Sequence, residues 1–185
     1  MNAEQHLSQL YRQSRQISPV RIPRMDRKRL VQLFGEWGLK KGAEIGVDGG
    51  TFGNYMLKVN PGLKLIGVDP WARDRGKRQQ AWKLLGHRDD WTRFHMTSEE
   101  AAPQVPDASL DFVYIDGDHR FDFVMLDLLL WTRKVRPKGV IAGHDYYRFK
   151  DGGVVPAVDA YTRAHNIHEW FITDEKTPTF FWVNS

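Results

Sequence analysis

Hydrophobic positions along the chain change period near residue 42. Before that point the spacing is helical: Leu30, Val31, Leu33, Phe34 and Trp37 fall on one face of a helix that Asp26 can cap. The first forty residues read as helical throughout, with a break at Ser18-Pro19-Val20-Arg21-Ile22-Pro23, and the stretch from Gly38 to Gly42 ends them. Beyond it come short apolar runs bounded by Gly, Pro, Asn and Asp. These predict strands at 43–47, 63–69, 92–96, 110–116, 140–143, 169–173 and 179–183. Helices are predicted between them. One runs from Phe52 to Lys58 and stops at Asn60-Pro61-Gly62; another lies around Gln79 to Leu85. A third starts at Phe121, places Phe121, Val124, Met125, Leu128 and Leu129 on one face, and is ended by Pro137-Lys138-Gly139. A fourth spans Val154 to Ala164, with Pro156 in its first turn.

Seven strands alternating with helices imply a doubly wound sheet, parallel in its main part. Such sheets bind ligands beyond the carboxyl ends of their strands, where the strand order reverses. That rule selects Gly46 to Gly50, Asp69, Thr97-Ser98, Asp116 to His119 and His144-Asp145, a set rich in acids, histidines and glycines.

Composition narrows the picture. The 185 residues, 41% hydrophobic and 27% charged, suit one globular domain with one core. We expect a helical extension over 1–40 and a ligand-binding domain over 41–185. The absence of cysteine excludes a disulfide framework, a thiolate zinc site and a cysteine nucleophile, and fits a reducing compartment. The N-terminus lacks the apolar core of a signal peptide, and Leu128 to Trp131 is bracketed by Asp127 and Arg133. The expectation is a cytoplasmic protein with no membrane partner. The net charge is +4, but Arg12 to Lys41 holds nine Lys or Arg against two acids. Nucleic acid is one partner such a stretch would serve; a solvated helical face is preferred. A homodimer through the N-terminal helices is also expected.

Four motifs carry chemistry. In Glu44-Ile45-Gly46-Val47-Asp48-Gly49-Gly50-Thr51-Phe52-Gly53, glycines let the backbone approach a ligand and open a helix facing it. Asp48 occupies the middle glycine position of a dinucleotide fingerprint, and no Gly-Lys-Ser/Thr follows, so neither a nicotinamide site nor a phosphate loop is indicated. An acid before the turn suits a ligand with an ammonium and a sulfonium; a plain strand-to-helix turn is the alternative. Asp69 ends the next strand, where a carboxylate can accept from both hydroxyls of a ribose, or cap a turn. Asp116-Gly117-Asp118-His119 and Gly143-His144-Asp145-Tyr146 each put an acid and a histidine at a strand end. They can hold a divalent cation, supply a general base, or serve as cap and stacking partner.

Taken together, Glu-Ile-Gly-x-x-x-Gly, Val-Asp-Pro-Trp, Asp-Phe-Val-Tyr-Ile-Asp-Gly-Asp-His and Val-x-Pro-x-Gly-x-Ile-x-Gly-His-Asp-Tyr resemble the class I S-adenosylmethionine-dependent methyltransferases. The nearest branch is the small bacterial group that includes sugar and macrolide O-methyltransferases. The resemblance covers about residues 40–183. It implies an α/β fold: a doubly wound, mostly parallel, seven-stranded Rossmann-like sheet with an antiparallel last strand. It implies S-adenosylmethionine as cofactor, with Gly46 and Gly50 along its methionine part, Glu44 beneath, and Thr51 and Phe52 in the following turn. Asp69 would hold the ribose, flanked by Pro70 and Trp71. Thr97 and Ser98, Ser98 foremost, would meet adenine. Asp116 would sit near the amino group or a metal, and His119 near the ring or the acceptor. Metal-dependent relatives of the catechol and caffeoyl-CoA types pair an acid at the fourth strand end with Asp-Asn at the fifth. Asp116 and Asp145 match, Tyr146 replaces Asn, and His144 is the candidate third ligand for magnesium or a similar cation.

The implied reaction is O-methylation of a small polar or sugar-like acceptor, with His144 or His119 as base or a cation on Asp116 and Asp145 acidifying the hydroxyl. Arg73, Arg75, Lys77 and Arg78 are read as a lid for an anionic acceptor or as a solvated helix. A nucleic-acid methyltransferase using the basic N-terminal region, disfavoured by the missing Asn/Asp-Pro-Pro-Tyr/Phe motif, and a non-catalytic cofactor sensor are the alternatives.

Overall fold

The computed structural model describes residues 1–72, 74–150 and 152–185. In chain order the elements are α1 (Ala3–Ser14), β1 (Val20–Ile22), α2 (Arg27–Glu36), β2 (Lys41–Ile45), α3 (Thr51–Val59), β3 (Lys64–Val68), α4 (Arg75–Leu85) and β4 (Trp91–Phe94). Next come α5 (Ser98–Ala101), β5 (Leu110–Ile115), α6 (Phe121–Trp131), β6 (Val135–Gly143), α7 (Val154–Ala164), β7 (Trp170–Thr173) and β8 (Phe180–Val183). The strands form one sheet in the order β1-β7-β8-β6-β5-β2-β3-β4. All neighbours are parallel except those of β8, which runs antiparallel to both β6 and β7. Chain order reverses between β2 and β5, so the cleft rule points to their carboxyl ends.

Side chains alternate across the sheet and fill two cores. Along β5, Phe112 and Tyr114 enter the core under α1, α2 and α3, whereas Val113 and Ile115 enter the one under α6 and α7. Full burial of these side chains is favourable by about 25 cal/mol per Å² of apolar surface. Asp26 caps α2 as expected, its side chain accepting from the Arg29 N–H at 2.7 Å. Among the described residues no helix is long and apolar enough to cross a membrane.

Three details differ from the sequence reading. The sheet has an eighth strand, because the proline-flanked break at 18–23 contains β1, whose Val20 and Ile22 are buried and which pairs with β7. Three residues are too few to show a period, and Pro19 and Pro23 read as punctuation. Pro137-Lys138-Gly139 does not end α6, which stops at Trp131, but kinks β6 where its register with β5 shifts. The buried face of α6 is Val124, Leu128 and Trp131 with Asp127, whereas Phe121 and Leu129 are exposed. Nine of the eleven α6 residues are apolar, so periodicity alone could not tell its faces apart.

Candidate active site

Beyond the reversal point the ends of β2 and β5 nearly touch. Gly46 has φ +92°, and a Cβ there would lie 2.1 Å from the Asp116 carbonyl oxygen and 2.8 Å from Gly117 Cα. Only glycine permits both that dihedral and that approach. The Asp116 N–H donates to the Ile45 carbonyl at 2.7 Å, and the Gly46 N–H to the Val68 carbonyl at 2.9 Å, pinning the three strand ends together. In front of them opens a cavity of about 460 Å³, a size suited to a cofactor. Of the residues expected there, Gly46, Asp69, Pro70, Trp71, Thr97, Ser98 and Asp116 line it.

Asp69 organises the rim. Its Oδ2 accepts from the Asp48 N–H at 2.8 Å and its Oδ1 from the Trp71 N–H at 2.7 Å. Those bonds hold Asp48 and Trp71 at positive φ, 49° and 43°. The Trp71 indole N–H donates to the Asp48 carbonyl at 2.7 Å, and Lys77 Nζ donates to Asp48 Oδ2 at 2.7 Å. The basic segment is therefore divided. Lys77 faces this cavity, Arg75 is exposed, Arg78 lines a separate cavity between α4 and β4, and Arg73 lies outside the described residues.

The hydroxyls of Thr97 and Ser98 are already engaged. Thr97 forms a capping box with Glu100 at the start of α5. Ser98 Oγ donates to Asp127 Oδ1 and accepts from the Trp131 indole N–H at 2.7 Å. Asp127 is the residue that sequence reasoning missed. It is 5% exposed, lines the cavity, and burial pushes its carboxyl up to about 6. Its signal was an acid in the middle of an apolar run, Phe123 to Trp131.

Glu44, Gly50, Thr51, Phe52 and His119 do not line the cavity. Glu44 is buried beneath it, and desolvation, reinforced by Asp116 and Asp69, holds its carboxyl well above the usual range. Gly50 begins α3 at φ +76° and abuts α4, where a Cβ would lie 2.9 Å from Ala81 Cα. Thr51 is exposed, and Phe52 packs on Tyr114 with ring centroids 4.7 Å apart.

Asp116 also belongs to a second cluster. His119 Nε2 lies 3.1 Å from Asp145 Oδ2 and 3.6 Å from Asp116 Oδ1; His144 Nδ1 lies 3.3 and 3.7 Å from the same two atoms. Asp116 and Asp145 raise His119 to about 10. Desolvation works to raise Asp145, but His119 and His144 outweigh it and hold that carboxyl well below its usual range. Donor atoms of Asp116, His144 and Asp145 lie within 4.8 Å of one another, as a shared cation would require. His144 Nε2 meets Thr177 Oγ1 at 3.3 Å, and the Tyr146 hydroxyl donates to Asp159 at 2.6 Å. Arg27, from the first turn of α2, places its guanidinium 3.8 Å from Asp116 Oδ2 and over the Phe52 ring. Nothing in the sequence linked Arg27 to this site.

A family model described as a methyltransferase domain matches residues 43–146. Among solved structures, the chain superposes on an O-methyltransferase from Bacillus cereus in complex with SAH. The TM-score is 0.67 at 14% identity, over 97% of this chain and 89% of that one. It also superposes on cofactor-bound Rv0187 from MTB, with a TM-score of 0.66 at 16% identity over 98% and 89%. At these identities the likeness is one of fold. Protein y4gI of Sinorhizobium fredii, itself uncharacterized, is 30% identical over 86 residues. That match spans 42% of this chain and 10% of the relative's length.

Proposed function

The chain belongs to the methyltransferase domain family, and from that premise we propose that it transfers the methyl group of S-adenosylmethionine to a hydroxyl of a small polar acceptor. The observation that carries this reading is the shared position of Asp116, which lines the cavity and also anchors the acid–histidine cluster. A cofactor in the cavity would thus end beside groups able to manage a hydroxyl proton.

The bound cofactor supplies an activated methyl on a sulfonium. The chain's own residues bind and orient. Asp69 keeps a free lone pair on each oxygen after its two backbone bonds and can accept from a ribose diol. Asp48 and Asp116 offer negative charge to an ammonium. His119, held protonated between Asp116 and Asp145, stabilises charge on the acceptor oxygen, and His144 takes its proton. Residues 1–40 act as an extension of the catalytic domain, completing the sheet edge through β1 and delivering Arg27.

The convergence within 4.8 Å favours a second reading of the same cluster, in which Asp116, His144 and Asp145 hold a divalent cation that acidifies the hydroxyl. Two carboxylate oxygens with one imidazole suit manganese, iron or zinc better than magnesium.

The test has two stages. Calorimetry with S-adenosylmethionine, S-adenosylhomocysteine and NAD should show binding of the first two and none of NAD. Methyl transfer to a panel of hydroxylated sugars and phenols should then be nearly abolished by His144→Ala while S-adenosylhomocysteine affinity is kept. Turnover insensitive to chelator selects His144 as base; loss on chelation, restored by manganese, selects the cation. Unchanged turnover in His144→Ala rejects both.

A further inference from the structure

Trp71 is a wall with two sides. One side lines the cofactor cavity; the other lines a second cavity of about 440 Å³ between α4 and β4. Trp91 closes the back of this outer cavity and Trp82, 52% exposed, stands at its mouth. Its rim carries Arg78, Lys83, Arg93 and His95, and among the described residues no carboxylate lines it.

What sets those cations apart is that they gather at one concavity. Arg21, Arg29, Arg88, Arg120, Arg133 and Arg136 each lie within ion-pair distance of an acid. Among the described residues, Arg78, Lys83 and Arg93 have no such partner, and all three are exposed. The Arg93 guanidinium instead lies over the Trp82 indole, 4.1 Å from the ring centroid. Unpaired cations gathered at one concavity without acids offer favourable potential to an anion, and guanidinium groups match phosphate oxygens two at a time. An indole beside them offers apolar surface and a stacking edge that a bare inorganic anion would not use.

We infer that the outer cavity binds a nucleoside monophosphate, its phosphate met by Arg78, Lys83 and Arg93 and its base packed against Trp82. The size favours a single nucleotide over a strand, since about 300–1,000 Å³ is the range for one small ligand. A strand would also need a continuous basic track. Here β4 is bracketed by acids, Asp89 and Asp90 before it and Glu99 and Glu100 after it. The site is independent of the methyl-donor assignment.

The experiment is calorimetry on the full chain with GMP, guanosine, inorganic phosphate and an eight-residue oligothymidylate as probes. The protein is wild type or Arg78→Ala/Arg93→Ala, each with and without saturating S-adenosylhomocysteine. Both substituted residues are exposed, and unchanged melting confirms the fold. The expected result is one GMP per chain, with guanosine and phosphate each at least about tenfold weaker and the double variant weaker by a similar factor. S-Adenosylhomocysteine should leave GMP bound. The inference is overturned by undetectable GMP binding, by equal binding to the double variant, or by displacement of GMP by S-adenosylhomocysteine, which would place it in the cofactor cavity. It is also overturned by an oligonucleotide binding more tightly than GMP.

Discussion

Replacing Gly46 with alanine tests the approach of β2 to β5 that shapes the cofactor cavity. The variant meets two costs. A side chain at φ +92° costs about 1–2 kcal/mol in left-handed backbone strain. The new Cβ also sits 2.1 Å from the Asp116 carbonyl oxygen, and because that contact is backbone, the strand ends must part. Overpacking of this kind costs about 1–3 kcal/mol. The sum is roughly 2–5 kcal/mol, or about 5–15 °C in melting temperature for a chain of this size. Gly62→Ala is the control, since Gly62 has φ +82° and nothing within 4 Å of a Cβ. It should lose only the backbone component, about 1–2 kcal/mol. The assay is thermal melting of both variants alongside calorimetry with S-adenosylhomocysteine, for which Gly46→Ala should bind at least about tenfold more weakly. Equal melting temperatures in the two variants, or wild-type affinity in Gly46→Ala, would refute the argument.

Two further outcomes concern the rim and the floor of the same cavity. Asp69→Ala removes the acceptor for the Asp48 and Trp71 N–H groups as well as for the diol, so S-adenosylhomocysteine affinity should fall about 100-fold or more. A loss under about tenfold by calorimetry would reject Asp69 as the ribose ligand. Asp127 binds its proton more tightly folded than unfolded, its carboxyl being raised from 3.8 to about 6. Between those values the native state holds more protons than the unfolded one, so wild-type stability falls as pH rises through that window and is level above it. Relative to Asp127→Asn, the wild type should therefore lose up to about 3 kcal/mol between pH 4 and 7 in urea titrations. A difference that does not vary with pH would contradict the burial argument.

The strand ends were legible because short apolar runs there stop at Gly, Pro or Asp, and the cleft rule then selects the residues just beyond them. This is why Gly46, Asp69, Ser98, Asp116 and Asp145 converge as expected. The motif showed that glycines were needed at 46 and 50 but not which neighbour required each. Gly46 yields to β5 and the cavity, Gly50 to α4. Asp127 meets Ser98 across 29 residues, and Arg27 meets Asp116 from another element altogether. Local spacing carries no information about such pairs; only the packed helices bring them together. The exposed face of α6 was hidden for the opposite reason, an excess of apolar residues.

The position of β8 bears on how the molecule is made. The last strand in chain order is an interior one, wedged between β6 and β7. Of the strands, β1 emerges first, yet among the described residues its neighbour in the sheet, β7, reaches the other strands through β8. The region Val20–Ile22 must therefore wait for some 160 later residues to leave the ribosome before its edge of the sheet can assemble, a long-range closure of the kind that slows folding.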